Sequence, residues 1–237
     1  FGITAILRRD HTGYLFTSSM APFVEQTLFE SAIKNPKCKD RQAFLNNCYD
    51  VWAHLKHILT DLFLDGSGIV LPNLGAFIYR NSMENGSPLR TPAFVFMPEF
   101  LDKSGCRCPA GQKMGHRMGN LGSLYERHPP LQALSWSAVA QRVGGLSAAE
   151  ARQVYDVILD ELLAYVGARR VGRLDFGLGV LQCSSEGTLT MRLSKSVMTQ
   201  LKGTGVLNTT KTFQAMRSLG TFRPSESSME SIRDLHK

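Results

Sequence analysis

The sequence has no long hydrophobic run, and its first residues lack the apolar core that a secretory leader needs. No stretch approaches the about 20 apolar residues that a membrane helix needs, so we expect no membrane-spanning segment. Residues 1–22 include Arg8, Arg9 and Asp10 and show no leader core. The first residue is Phe1 rather than Met, which leaves open a longer natural chain. The five cysteines form no evenly spaced framework, which indicates a reducing compartment.

Catalytic and phosphate-binding motifs are also missing. There is no G-x-S-x-G and no H-E-x-x-H, and the glycine-rich residues 111–122 lack the Lys-Ser/Thr pair of a phosphate loop. Asp160 and Glu161 are adjacent on a predicted helix, so they do not face each other as catalytic carboxylates would. We therefore expect a non-enzymatic protein with no catalytic residue and no cofactor.

Cys106, Cys108 and His116 are the strongest candidates for a metal site. They supply only three ligands, and Cys-x-Cys is not the usual zinc spacing. We interpret the two cysteines as free thiols in a linker and expect no bound metal. A zinc-dependent regulatory module is the weakest of the alternatives that we keep.

The sequence contains an internal repeat. Residues 22–103 and 131–203 both show a short helix, a long helix, a β-hairpin, an excursion, a strand and a final short helix. Leu74-Gly75 aligns with Phe176-Gly177 at an offset of 102, and Phe96 to Phe100 aligns with Arg192 to Ser196 at an offset of 96. The fold class is therefore predicted to be α+β, with two similar domains in tandem.

The local signals within each copy agree with this order. Asp40 is a predicted N-cap, and Ser147 with Glu150 forms a predicted capping box before the second long helix. Gly167 is the expected residue after that helix. Residues 81–92 are predicted to be a polar excursion before a third strand at Ala93 to Met97.

Three further segments lack periodicity. Residues 1–21 are predicted to be an extended N-terminal arm, residues 104–130 a linker rich in glycine and proline, and residues 204–237 an extended C-terminal tail. We expect both extended segments to become ordered only on binding a partner, because they cannot bury a core alone.

The charge lies mainly in these segments. The net charge is +7, yet residues 22–103 contain eight basic and nine acidic residues. Residues 104–130 contain four basic residues and one acidic residue. A protein that grips DNA with its folded surface is expected to show the opposite distribution.

The order of elements resembles the bacterial HU/IHF fold. Residues 71–80, Leu-Pro-Asn-Leu-Gly-Ala-Phe-Ile-Tyr-Arg, are similar to that family's hairpin, and residues 93–100 are similar to its third strand and final helix start. Two such units in tandem, the second with Asp175-Phe176-Gly177, resemble the paired HU domains of a eukaryotic coiled-coil-domain-containing family associated with centrosomes, basal bodies and cilia. The resemblance implies that two units pair, within one chain or between chains.

The predicted arms differ from those of bacterial HU, which are cationic. Residues 81–89 contain one acid and no base, and residues 184–187 form a bare turn. Such arms offer too few phosphate contacts, so we do not expect nucleic-acid binding through them.

The resemblance implies a structural protein of an axonemal doublet microtubule or a basal body, in the cytoplasmic cytoskeleton. The expected partners are tubulin or neighbouring axonemal proteins; the alternative is an architectural DNA-binding protein of the HU type. Arg169, Arg170 and Arg173 form the densest basic cluster, which either compensates a helix terminus or contacts an acidic surface. The complete set of predicted partner-binding residues is Arg8, Arg9, Arg169, Arg170, Arg173, Lys211, Phe213, Arg217, Phe222 and Arg223.

Overall fold

A computed structural model describes residues 22–34, 40–84, 87–114 and 131–204, together with Leu207. The described part of the chain is α+β, with six α-helices and two β-sheets. None of these helices has both the length and the apolar character that crossing a bilayer requires. The elements fall into a first half, residues 22–104, and a second half, residues 131–204.

The two halves contain corresponding elements. The first half comprises α1 (Glu25–Ala32), α2 (Arg41–Leu64), β1 (Gly68–Leu71), β2 (Gly75–Glu84), β3 (Ser87–Phe96) and α3 (Pro98–Ser104). The second half comprises β4 (Leu131–Ala133), α4 (Trp136–Val143), α5 (Ala148–Gly167), β5 (Gly172–Asp175), β6 (Gly179–Cys183), β7 (Leu189–Leu193) and α6 (Lys195–Thr204).

The helix starts follow from local capping. Asp40 accepts a hydrogen bond from the Ala43 amide and so caps α2, as predicted. Ser147 and Glu150 form the predicted capping box of α5, in which each side chain satisfies a free amide of the other residue. These bonds fix where the long helix of each half begins.

The third strand of the first half is longer than predicted. Strands β2 and β3 pair without interruption from Gly75 opposite Phe96 to Glu84 opposite Ser87. The expected polar excursion over residues 81–92 is therefore wrong, because most of it belongs to a two-stranded ribbon. The corresponding strands β6 and β7 are only five residues long.

The glycines at the start of β2 and β6 correct the alignment of the repeat. A Cβ atom on Gly75 would lie 2.2 Å from the carbonyl oxygen of Val95, and a Cβ on Gly179 would lie 2.6 Å from that of Arg192. Both positions therefore need glycine for close approach to the third strand. They correspond at an offset of 104 rather than 102. Phe96 and Leu193, which pair with them, correspond at 97 rather than 96.

The ends of the two long helices correspond at an offset of 103. The amide of Gly66 donates to Phe63, and the amide of Arg169 donates to Val166. Gly66 has a φ of 87° and Arg169 a φ of 57°. The predicted terminating role of Gly167 is thus wrong, since α5 continues through it and Arg169 adopts the left-handed conformation instead.

The two halves share one hydrophobic core. Helix α2 packs on α4, α5 and α6, and α5 packs in turn on α1, α2 and α3. Trp52 of α2 and Tyr155 of α5 are fully buried and stack with their rings 6.5 Å apart. The Trp52 indole donates to the carbonyl of Asp175, and the Tyr155 hydroxyl donates to that of Pro72. Each aromatic residue is thereby bonded to the hairpin of the opposite half.

Each half also adds a backbone segment to the sheet of the other half. Strand β4, which precedes α4, pairs in parallel with β1 of the first half. Phe23, which precedes α1, forms a parallel bridge with Gly172 of the second half. One sheet therefore has the order β3-β2-β1-β4, and the other has the order β5-β6-β7.

Residues 105–114, called the connecting segment below, are the described part of the linker predicted over 104–130, and residues 115–130 lie outside the described part of the chain. Cys106 and Met114 are buried, and Lys113 forms a bridge to Phe96 of β3. Gln112 donates to the Met191 carbonyl over 2.6 Å and accepts from its amide over 2.9 Å. This segment therefore lies between the outer strands of the two sheets and contacts both of them.

Candidate functional site

The predicted partner-binding residues are divided between the described and undescribed parts of the chain. Those outside the described residues are Arg8, Arg9, Lys211, Phe213, Arg217, Phe222 and Arg223, as are the predicted arm and nearly all of the tail. The described ones are Arg169, Arg170 and Arg173, and the structure gives each a different environment.

Arg169 makes contacts within the protein. Its guanidinium donates to the Gly105 carbonyl over 2.6 Å, to the Gly187 carbonyl over 3.3 Å and to the Cys106 thiol over 3.4 Å. The side chain thus joins the end of α5 to the connecting segment and to the β6–β7 turn. These contacts favour a structural role over the predicted contact with an acidic surface.

Arg170 also contacts its own helix. Its guanidinium lies over the ring of Tyr165, with 4.1 Å between the guanidinium carbon and the ring centroid. Such cation–π packing holds the cation against an apolar surface. Arg170 is half-buried, so it presents less of its charge to a partner than Arg173 does.

Arg173 lies on the open face of the second sheet. It is exposed on β5, and it lines a groove of about 560 Å³ that we call the basic groove. The groove is formed by Pro22, Phe23, Val24, Val171, Gly172, Arg173, Gln182, Cys183, Ser184, Thr188, Thr190 and Arg192. Two lining residues are arginines and none is acidic. The groove therefore combines positive charge with hydroxyl, amide and apolar groups.

Sequence reasoning missed Arg192, the second arginine of the basic groove. Strand β7 alternates between buried Leu189 and Met191 and the more exposed Thr190 and Arg192. The signal that could have placed both arginines on one face is the two-residue period of this strand together with that of residues 172–175, where Leu174 is the only large apolar residue.

The arginines at the base of the β2–β3 ribbon contact the protein interior. Arg90 is only 5% exposed, lies over the Tyr79 ring at 4.3 Å and donates to the Gly66 carbonyl over 3.0 Å. Arg80 donates to the Gly111 carbonyl. Burial lowers the pKa of Arg90, and burial also raises the pKa of Tyr79, whose hydroxyl donates to Phe63. Neither arginine extends freely from the base of the ribbon.

The two cysteines of the connecting segment are free thiols, as predicted, but they are not fully exposed. Cys106 is buried and donates to the Val166 carbonyl over 3.4 Å, and Cys108 is half-buried. Burial raises the pKa of Cys108, and burial next to Cys106 raises the pKa of Cys183 to about 11. Within the described ranges no group of side chains is arranged to hold a metal ion, and His116 lies outside them.

Two sequence comparisons, with protein families and with curated proteins, give no match. No protein-family model matches the chain, and no curated protein matches it in sequence. The chemistry of the chain's own residues and the resemblance noted in its sequence are therefore the grounds for a function.

Proposed function

We propose that this chain is a non-catalytic scaffold protein of a ciliary assembly, at an axonemal doublet microtubule or a basal body. Its partners would be tubulin or neighbouring proteins of that assembly. The cellular location follows from the resemblance to the eukaryotic paired HU domains. The same resemblance leads us to propose that the two halves are HU-like domains that pair within one chain.

The basic groove is the observation that carries the binding role. Arg173 and Arg192 are both exposed there, and neither forms an ion pair with a described residue. A surface whose cations are not neutralised by the protein itself attracts acidic partners. Cytoskeletal polymers with acidic surfaces satisfy this requirement.

Co-sedimentation with microtubules tests the proposal. The full chain is expected to pellet with polymerised tubulin at physiological salt and to remain in the supernatant without it. Bovine serum albumin serves as the non-binding control. The same result with and without microtubules would contradict binding to tubulin.

A DNA-binding role of the HU type is the second candidate, because β2 and β3 form a long two-stranded ribbon and the arms of bacterial HU are β-ribbons. The ribbon extends over ten residues in each strand. However, Arg80 and Arg90 at its base donate to carbonyls of the protein, and residues 81–89 contain no base. A salt titration with a duplex oligonucleotide discriminates the two roles. Tight binding that weakens steeply with salt would favour DNA.

A further inference from the structure

The second sheet has an open outer face but protected edges. On the β5 side, Phe23 donates its amide to Val171 and accepts from the amide of Arg173, both over 3.0 Å. On the β7 side, the amide of Leu189 donates to the Arg107 carbonyl over 2.7 Å. Gln112 meanwhile satisfies both backbone groups of Met191. A partner therefore has little access to these edges as an added strand and must lie across the face.

The chemistry of the face selects an anionic partner. Arg173 and Arg192 are the only charged residues that line the basic groove. Asp175, an acid on the same face of β5, lies outside the groove, and its carboxylate accepts a hydrogen bond from the Gly177 amide. Gln182 lies on β6, between the strands of the two arginines, and Thr190 lies on β7 two residues before Arg192; both offer hydrogen-bonding side chains. Val171 is 48% exposed at the groove and supplies apolar surface next to the charges.

The spacing of the two arginines selects an extended ligand. Arg173 pairs with Gln182, which pairs with Thr190, and Arg192 lies two residues beyond Thr190. Two strand spacings and two residues along the strand separate the Cα atoms of the arginines by about 12 Å. An extended peptide spans that distance in about four residues. Two carboxylates at that separation on one peptide would each pair with one arginine.

We propose that the basic groove binds an extended acidic peptide, with carboxylates about four residues apart that pair with Arg173 and Arg192. This inference deepens the proposed function and rests on it, because it specifies what part of a scaffold partner the chain would recognise. The apolar side of the peptide would contact Val171. Its backbone would lie across the strands without adding to the sheet.

Fluorescence anisotropy of the full chain tests this inference. The probe is a labelled twelve-residue peptide of glycine, serine and two leucines with glutamates at every fourth position. Its control replaces each glutamate by glutamine. We expect saturable binding of the glutamate peptide and at least about tenfold weaker binding of the glutamine peptide. Equal affinity for the two peptides would overturn the proposal.

Paired variants locate the site. Arg173→Ser with Arg192→Ser is expected to weaken binding of the acidic peptide at least about tenfold. Lys195→Ser with Lys202→Ser removes the same charge from exposed positions on α6 and is expected to change affinity less than about twofold. Circular dichroism verifies that both variants are folded. Equal weakening by both pairs would show non-specific attraction and overturn the proposal.

The same variants separate this inference from the proposed function. If the variant with Arg173→Ser and Arg192→Ser no longer binds the acidic peptide but still pellets with microtubules, the peptide site exists and the microtubule contact lies elsewhere. If the wild-type chain binds the peptide but never pellets, the proposed tubulin partner fails and the groove assignment stands. The peptide assignment would be overturned if duplex DNA bound more tightly than the peptide and the arginine substitutions weakened that DNA binding.

Discussion

The outer faces of the two sheets differ, although the strands that form them correspond. In the first half this face carries Val70, Ala76, Ile78 and Val95, and all four are buried. In the second half the four corresponding positions are occupied by Asp175, Val180, Gln182 and Arg192, which are half-buried or exposed. One copy of the unit thus uses the face for packing, and the other leaves it open to a partner.

Exchanging one residue between the two faces has the largest expected effect. Val95→Arg would place an unpaired cation at a fully buried position and is expected to cost about 4 kcal/mol or more. The reciprocal change Arg192→Val is on an exposed position and is expected to change stability by no more than about 0.5 kcal/mol. Urea unfolding of both variants measures the difference. Similar effects of the two substitutions would show that the faces are equivalent.

The pair of stacked aromatic residues tests whether the halves unfold together. Trp52→Ala removes a buried ring and its bond to Asp175 and is expected to cost about 3–5 kcal/mol. Tyr155→Phe keeps the ring but loses the bond to Pro72, with an expected cost of about 1 kcal/mol. Both variants are expected to unfold in a single transition that near- and far-ultraviolet circular dichroism report alike. Two separate transitions would mean that each half has its own core.

The ends of α2 and α5 compare glycine with arginine at corresponding positions. Arg169→Ala keeps an unfavourable left-handed residue and loses the three side-chain hydrogen bonds, with an expected cost of about 2–3 kcal/mol. Arg169→Gly loses the same bonds but relieves the backbone, so it is expected to be about 1 kcal/mol more stable than Arg169→Ala. Gly66→Ala should cost about 1 kcal/mol because it places a Cβ atom on a residue in the left-handed conformation. Thermal unfolding ranks the three variants. If Arg169→Gly were the least stable of them, backbone conformation would not decide the difference.

Alkaline pH is expected to give the smallest effect. The pKa of the Cys183 thiol rises from 9.0 to about 11 on folding, so the folded state retains its proton where the unfolded state has lost it. The stabilisation by this group is fully present below pH 9 and is lost as the pH rises toward 11. Burial raises the pKa of Tyr79 in the first half in the same direction. Between pH 8 and pH 10 the urea midpoint should therefore fall less in Cys183→Ala than in the wild type. An unchanged pH dependence in that variant would assign the effect to other groups.

The sequence predicted the features that depend on neighbouring residues. Asp40 and Ser147 cap helices because a short polar side chain reaches the amide three residues ahead, and Glu150 reaches back to the Ser147 amide. That reach is visible in the spacing. The hairpins were also found, but their alignment was shifted. Gly177 and Gly179 are both plausible partners of Gly75, and only the contact of Gly179 with β7 decides between them.

The features that were missed depend on distant residues. The β2–β3 ribbon is polar over residues 81–89, so it shows no apolar alternation that would indicate a strand. The connecting segment is rich in residues typical of loops, and its order comes from contacts such as Gln112 with Met191, 79 positions away. The residues of the predicted basic cluster have different environments for the same reason. Arg169 donates to carbonyls of distant segments, whereas Arg173 faces the groove.

The contact of Trp52 with Tyr155 has a consequence for how such a protein can change over time. In a symmetric dimer of identical chains, a substitution at such a position is made twice, and the new residue must tolerate its own copy. Here a tryptophan meets a tyrosine, and each residue can be altered alone. Joining both units in one chain therefore frees each to specialise, so that a long ribbon on one side coexists with a short turn and an open face on the other.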